Sequence, residues 1–98
     1  MTLSFTKPLR GPIMRGEITC TVRIWRNLRV KTGGRYALGP GQVEVTRIQH
    51  VDLEDITEEI ARASGFRDLQ DLMAVARHGS GENVYLIDFV YEGPEPAQ

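Results

Sequence analysis

The segment NVYLIDFVYE, residues 83–92, carries apolar side chains at both its odd and its even positions. Successive side chains of a β-strand point to opposite faces of the sheet, so this pattern predicts a central strand that is covered on both faces. Asp88 is the exception, and a buried carboxylate without a partner is costly. We therefore expect Asp88 to lie at an exposed edge of its face or to pair with a cation, Arg23 or Arg47.

Three further strands are predicted upstream of this segment. RYAL, residues 35–38, is a short strand that the turn GPG joins to QVEVTRIQHVDL, residues 42–53, which is rich in β-branched residues. ITCTVRIW, residues 18–25, is predicted as a strand in which polar and apolar residues alternate. The alternation predicts one face with Ile18, Cys20, Val22 and Ile24, and an opposite face with Thr19, Thr21, Arg23 and Trp25.

Three short helices are predicted around these strands. KPLRGPIMRG, residues 7–16, has a proline at its start and a glycine at its end, as short helices often do. A second helix begins at Asp55 or Thr57 and ends at Gly65, with Phe66 packing back on it. Its expected apolar stripe is Ile56, Ile60 and Ala63. A third helix, capped by Asp68, has an apolar stripe and ends before Gly79. The residues of that stripe are Leu69, Leu72, Met73 and Ala76.

These elements predict an α+β fold, in which a curved, mostly antiparallel sheet or small β-barrel carries short flanking helices. At 98 residues the chain is expected to be one domain, residues 1–92, followed by a disordered tail, residues 93–98. With 41% hydrophobic and 26% charged residues, the composition is that of a soluble globular protein rather than a membrane protein. MTLSFTKPLR lacks an apolar signal core, and Cys20 is the only cysteine, so a reducing cytoplasm is the expected compartment.

The charges are segregated along the chain. Residues 1–49 hold nine basic residues against two acidic ones, a net charge of +7, and residues 50–98 hold three against eleven, a net charge of −8. The two halves either attract each other across the fold or leave one face with a positive field that attracts phosphates. Seven of the nine basic residues in the first half are arginine, which favours planar contacts with phosphates or bases.

Four segments in order resemble one family, the ASCH domain, a relative of the PUA RNA-binding fold. They are GEITCTVR, KTGGRYAL, ITEEIARASGF and VYLIDF. The resemblance implies a small PUA-like mixed, mostly antiparallel β-barrel. It also implies a cleft between the barrel and its helices for RNA or a nucleoside. Some members of the family hydrolyse the amide of acetylcytidine with a lysine, a threonine and a glutamate, and at least one relative is described as a ribonuclease.

The resemblance carries over only in part to the catalytic positions. Thr21 matches the threonine and Arg23 the following arginine, but Ile18 stands at the lysine position and Ser64 at the glutamate position. An amide hydrolase needs a group that activates water and an acid that protonates the leaving amine, and neither isoleucine nor an unactivated serine can act so. A relocated catalytic group remains an alternative, with three candidates: Glu17, Glu59 and Arg62.

The leading hypothesis is therefore a non-catalytic module that binds RNA or a nucleotide beside the strand of Thr21 and Arg23. Trp25 would stack a base or, alternatively, pack in the core. Basic residues in the following segment would contact phosphates or, alternatively, remain a solvated surface. They are Arg26, Arg29, Lys31 and Arg35. No cofactor or metal site is predicted, because Cys20 and the lone histidines His50 and His78 lack ligand spacing.

Overall fold

The computed structural model describes residues 3, 5–76 and 81–93. Its strands are β1 (Cys20–Trp25), β2 (Arg35–Leu38), β3 (Gly41–Val51) and β4 (Asn83–Glu92). Its helices are α1 (Lys7–Met14), α2 (Glu58–Ala63) and α3 (Leu69–Ala76), and a 3-10 turn covers Leu53–Asp55. The predicted helix end at Gly79 and the tail after Gly93 lie outside the described residues.

The four strands form one sheet in the order β1-β4-β3-β2, and every neighbouring pair is antiparallel. The sheet is curled into a half-barrel in which β1 and β2 are the two edges. The α+β class and the short flanking helices are as predicted, but the described sheet is entirely antiparallel rather than mixed and is open rather than closed. The connections from β2 to β3 and from β3 to β4 each lead to an antiparallel neighbour, whereas the connection from β1 to β2 runs between the two edges. No described strand joins those edges.

Strand β4 is the centre of the molecule, as its pattern predicts. It pairs with β1 on one side and β3 on the other, and its two faces contribute to two separate cores. Tyr85, Ile87 and Phe89 lie in the α1-side core, which also contains Ile13 of α1. Val84 lies on the other face in the α2/α3-side core. Removing a side chain as deeply buried as Phe89 typically costs about 3–5 kcal/mol.

The helix ends follow their local sequence. The Thr57 hydroxyl accepts a hydrogen bond from the Ile60 amide at 3.2 Å, which makes Thr57 the N-cap of α2. At the other end the Phe66 amide donates to the Ala61 carbonyl at 3.0 Å across Gly65, as in a Schellman motif. The helix buries Ala61 and leaves Ala63 exposed, so the predicted stripe was wrong at that position.

Helix α3 begins as predicted, because the Asp68 carboxylate accepts the Asp71 amide at 2.8 Å. Leu72 and Ala76 are buried in the α2/α3-side core, and Leu69 and Met73 pack against it. In the described residues, no helix is long and apolar enough to cross a membrane.

Ile18 departs from the predicted alternation. From Cys20 onward the two faces of β1 are as predicted, with Val22 in the α2/α3-side core and Trp25 in the α1-side core. Ile18 was expected beside Val22 but lies in the same core as Trp25. It precedes the strand, in a segment tied back to α1 by a hydrogen bond from the Glu17 amide to the Pro12 carbonyl at 2.9 Å. Strand periodicity therefore does not apply to it.

Gly16 and Gly65 allow a matched test of how tightly Leu9 and Ile18 pack over the end of α2. Both end a helix with positive φ, +78° and +94° respectively. A Cβ on Gly16 would meet nothing within 4 Å, whereas one on Gly65 would lie 2.6 Å from the methyl carbons of Leu9 and Ile18. We expect Gly16→Ala to lower the free energy of unfolding by about 1 kcal/mol and Gly65→Ala by about 3 kcal/mol, because only the second adds a clash to the backbone strain.

Urea unfolding followed by circular dichroism measures both values. Equal losses for the two variants would show that Leu9 and Ile18 do not pack tightly over Gly65.

Candidate functional site

Thr21 and Arg23 lie side by side on the α1-side face of β1. The Arg23 Nε donates a hydrogen bond to the Thr21 Oγ1 at 3.1 Å, and the guanidinium carbon lies 5.0 Å from the ring centre of Phe5. Thr21 is buried and Arg23 is partly buried. Burial lowers the pKa of Arg23 to about 10, because the charged form loses solvation. The pair predicted to hold a ligand is thus close together, and its guanidinium already has contacts within the protein.

Phe5 is a contact that the sequence does not predict. The segment before α1 is irregular, and nothing in its pattern places an aromatic ring over a residue of β1. The ring covers the guanidinium of Arg23 by a cation–π contact and also packs on Phe89, with 5.4 Å between ring centres.

The cavity beside this pair is small and mostly apolar. Its volume is about 50 Å³, and its walls include Leu9, Phe66 and Val75 together with Thr21 and Arg23. Sites for drug-sized ligands are usually about 300–1,000 Å³, and an engineered cavity that accepts benzene is about 150 Å³. In this conformation the cavity has room for one or two water molecules and not for a nucleoside.

The cavity also lacks groups for proton transfer. None of the described residues that line it is a carboxylate, histidine, lysine or cysteine. Of the three candidates for a relocated catalytic group, Glu59 and Arg62 are exposed and do not line the cavity. Glu17 lies outside it too, and its carboxylate accepts a hydrogen bond from Arg15 at 2.7 Å. This bond lowers the pKa of Glu17, which keeps the carboxylate ionised.

At the two positions where the resemblance would place a lysine and a glutamate, this chain has Ile18 and Ser64, and both side chains are packed in the interior. Ile18 is buried in the α1-side core. Ser64 is 1% exposed, and its hydroxyl lies 2.9 Å from the Ile60 carbonyl, to which it donates, and 3.5 Å from the Cys20 sulfur. Burial raises the pKa of the Cys20 thiol, which therefore stays protonated at neutral pH. None of these three residues offers an activated nucleophile.

Trp25 belongs to the core. It is 3% exposed, and its ring packs against Tyr85 with 6.1 Å between ring centres. The alternative of core packing is therefore correct, and the ring has no face open to a base. The guanidinium carbon of Arg29 lies 5.7 Å from the Trp25 ring centre, a cation–π contact that fixes part of the following segment.

The basic loop, residues 26–34, connects β1 to β2. Arg26, Arg29 and Lys31 are exposed there, and none has an acidic partner within 4 Å among residues 3, 5–76 and 81–93. The loop is anchored at its start by a hydrogen bond from Asn83 to the Arg26 carbonyl at 2.6 Å. Leu28, in the same loop, is 42% exposed. The loop thus presents three cations and one apolar side chain to solvent.

Arg35 differs from the other predicted basic residues. Its guanidinium lies 3.3 Å from Glu44 on the neighbouring strand β3 and 3.6 Å from Glu92 on β4, the strand beyond β3. A cation held between two carboxylates is less available to a phosphate. Among the described residues, Arg35 therefore has acidic partners, whereas Arg26, Arg29 and Lys31 have none.

The ion pairs do not neutralise one half of the chain with the other. Three are found among the described residues: Arg15 with Glu17, and Arg35 with Glu44 and with Glu92. Only the last joins the basic half to the acidic half.

Asp88 makes no ion pair with the arginines proposed for it, within the described part of the chain. Arg23 is on the opposite face of the sheet, where it packs on Phe5. Arg47 is the cross-strand neighbour of Asp88, but it is exposed. Asp88 is itself only half-buried, so its carboxylate keeps access to solvent.

No family model, curated protein or solved structure matches the chain. Among the described residues, no three histidine, cysteine, aspartate or glutamate side chains are grouped as metal ligands.

Thr21→Val tests the bond between Thr21 and Arg23. The substitution keeps the shape of the side chain but removes the oxygen that accepts a hydrogen bond from a partly buried guanidinium. We expect the free energy of unfolding to fall by about 1–2 kcal/mol. Thr19→Val, two residues earlier at an exposed position, is the matched control and is expected to change it by less than about 0.5 kcal/mol. Thermal or urea unfolding gives both values, and a Thr21→Val variant as stable as the parent would contradict a structural role for the bond.

Proposed function

We propose that this protein is an RNA-binding module of the ASCH type, within the PUA-like superfamily, that contacts single-stranded RNA through its basic loop. The observation that carries the proposal is the group of Arg26, Arg29 and Lys31, which are exposed and have no acidic partner in the described residues. Phosphate contacts of this kind supply most of the affinity in binding that is independent of sequence. RNA in the cytoplasm is the natural partner for such a loop.

The anchoring of the loop supports this proposal. A flexible loop loses conformational entropy when it binds, and fixed contacts reduce that loss. Here Arg29 rests on the buried Trp25, and the Arg26 carbonyl is held by Asn83. The guanidinium groups of Arg26 and Arg29 can each make two parallel hydrogen bonds to a phosphate. Exposed Leu28 supplies an apolar contact for an unstacked base.

The proposal assigns no ligand role to the cavity at Thr21 and Arg23. A cavity of about 50 Å³ has no room for a base, so these two residues act in the proposal as structural support for β1. The hydrolase alternative has no observation in its favour, because the described cavity walls hold no acid or base.

Fluorescence anisotropy with a labelled single-stranded oligoribonucleotide tests the proposal. Each phosphate contact on a single strand contributes about −0.7 to the slope of log K against log salt, so three contacts predict a slope of about −2. A variant with Arg26, Arg29 and Lys31 all changed to Gln is expected to bind at least about 100-fold more weakly at low salt, with a slope near zero.

A second triple variant is the control for net charge. Lys7, Arg62 and Arg67 are also exposed and lie outside the loop. Changing all three to Gln removes the same charge and is expected to leave most of the affinity in place. Equal weakening by the two triple variants would contradict a defined site on the loop, and so would the absence of binding to the parent protein at low salt.

Incubation of the protein with acetylcytidine and, separately, with the same oligoribonucleotide tests the absence of catalysis. We expect no product from either substrate by chromatography. Product that is lost in the Thr21→Ala variant would overturn the non-catalytic assignment and would restore the hydrolase alternative.

A further inference from the structure

A second cavity lies on the other side of α1, between that helix and the hairpin that joins β2 to β3. It is a depression of about 330 Å³ that is widely open to solvent, and it is larger than the cavity at Thr21 and Arg23. Its apolar walls include four side chains, Leu3, Phe5, Met14 and Leu38. Gly39, in the turn after β2, completes one side.

Arg10 is the only charged residue among the described residues that line this second cavity. Its Nε donates to the Phe5 carbonyl at 3.0 Å, which fixes the start of the guanidinium. The terminal nitrogens make no hydrogen bond or ion pair with residues 3, 5–76 or 81–93, so both remain available as donors. An oriented guanidinium is suited to a carboxylate or a phosphate, each of which offers two oxygens side by side.

We propose that the second cavity binds a small organic anion, with an apolar body of about one ring and a carboxylate or phosphate group held by Arg10. The depression, at about 330 Å³, is wide enough for one ring, and because it is open to solvent the ring would be covered on one side only. The apolar walls contact one side of the ring, and Arg10 selects a ligand of negative charge.

Met14 gives one wall the ability to adjust. It is 37% exposed at the end of α1, and a Cβ on Gly39 would lie 2.9 Å from its sulfur. The methionine side chain is flexible and polarisable, so it can move to fit rings of different shape. Gly39 leaves space for that movement and has a φ of +57°, which disfavours other residues.

Titration of ¹³C-methyl-labelled protein with phenyl phosphate, benzoate, inorganic phosphate and benzyl alcohol tests this site, with the Met14 methyl as the reporter. We expect phenyl phosphate or benzoate to shift the Met14 signal with a Kd of about 1 mM or lower, and the other two probes to bind at least about tenfold more weakly. Comparison of the two organic anions distinguishes a phosphate-bearing ligand from a carboxylate.

Two substitutions on α1 provide the matched comparison. Arg10→Gln is expected to raise the Kd of the organic anion about tenfold or more, whereas Lys7→Gln, exposed on the same helix, leaves it unchanged. Met14→Trp, which keeps Arg10 but reduces the volume, is expected to weaken the binding of both organic anions when followed by the anion's own resonances. The proposal is overturned if neither organic anion binds or if Arg10→Gln binds as tightly as the parent protein.

The outcome is separable from that of the proposed RNA binding. The variant in which Arg26, Arg29 and Lys31 are changed to Gln retains every described residue of the second cavity and is expected to bind the organic anion as the parent does. Loss of anion binding in that variant would place the anion on the basic loop and overturn the second site.

Discussion

Strand β4 is paired along both edges and covered on both faces, and the rest of the structure follows from that arrangement. A strand so placed requires a neighbour on each side and an apolar layer above and below. In this chain β1 and β3 are the neighbours, α1 with the segment before it forms one layer, and α2 with α3 forms the other. Ile87 and Phe89 are almost completely buried, whereas Val90, near the end of the strand, is 46% exposed.

This packing decides which cations can reach a ligand. Arg23 projects from β1 into the α1-side layer, where Phe5 covers it and Thr21 accepts its hydrogen bond. Burial there costs the guanidinium part of its solvation, which is the cause of its lowered pKa. The neighbouring loop packs Val30 into the α1-side core, but its cations Arg26, Arg29 and Lys31 are exposed to water. Arg23 is therefore partly buried, whereas Arg26 and Arg29, a few residues later in the chain, are exposed.

The sequence predicted the parts of the fold that depend on local patterns. The two-sided pattern of residues 83–92 predicted a central strand. The end of α2 at Gly65 was predicted, and Thr57, one of the two residues proposed for its start, is the N-cap. These predictions succeed because strand periodicity and helix capping are properties of a few neighbouring residues. The assignment of Ile18 failed because alternation holds only inside a strand, and the sequence did not show that β1 begins at Cys20.

The candidate site was less predictable, because it depends on contacts between distant segments. Nothing in the sequence indicates that Phe5 covers Arg23, or that Arg35 lies between Glu44 and Glu92. The net charge of the first half could be counted from the sequence, but the ion-pair partner of each cation could not be predicted from it. Cavity volume, which separates a site for water from a site for a nucleoside, is likewise a property of the packed molecule.

Amide NMR spectra of ¹⁵N-labelled protein, recorded while a short single-stranded RNA is added at low salt, locate the surface that binds RNA. We expect chemical-shift changes concentrated in residues 26–34, with the amides of Thr21, Val22 and Phe66 unchanged. Changes concentrated at those three amides instead, with the basic loop unaffected, would show that the cavity opens to hold RNA and would contradict binding through the loop.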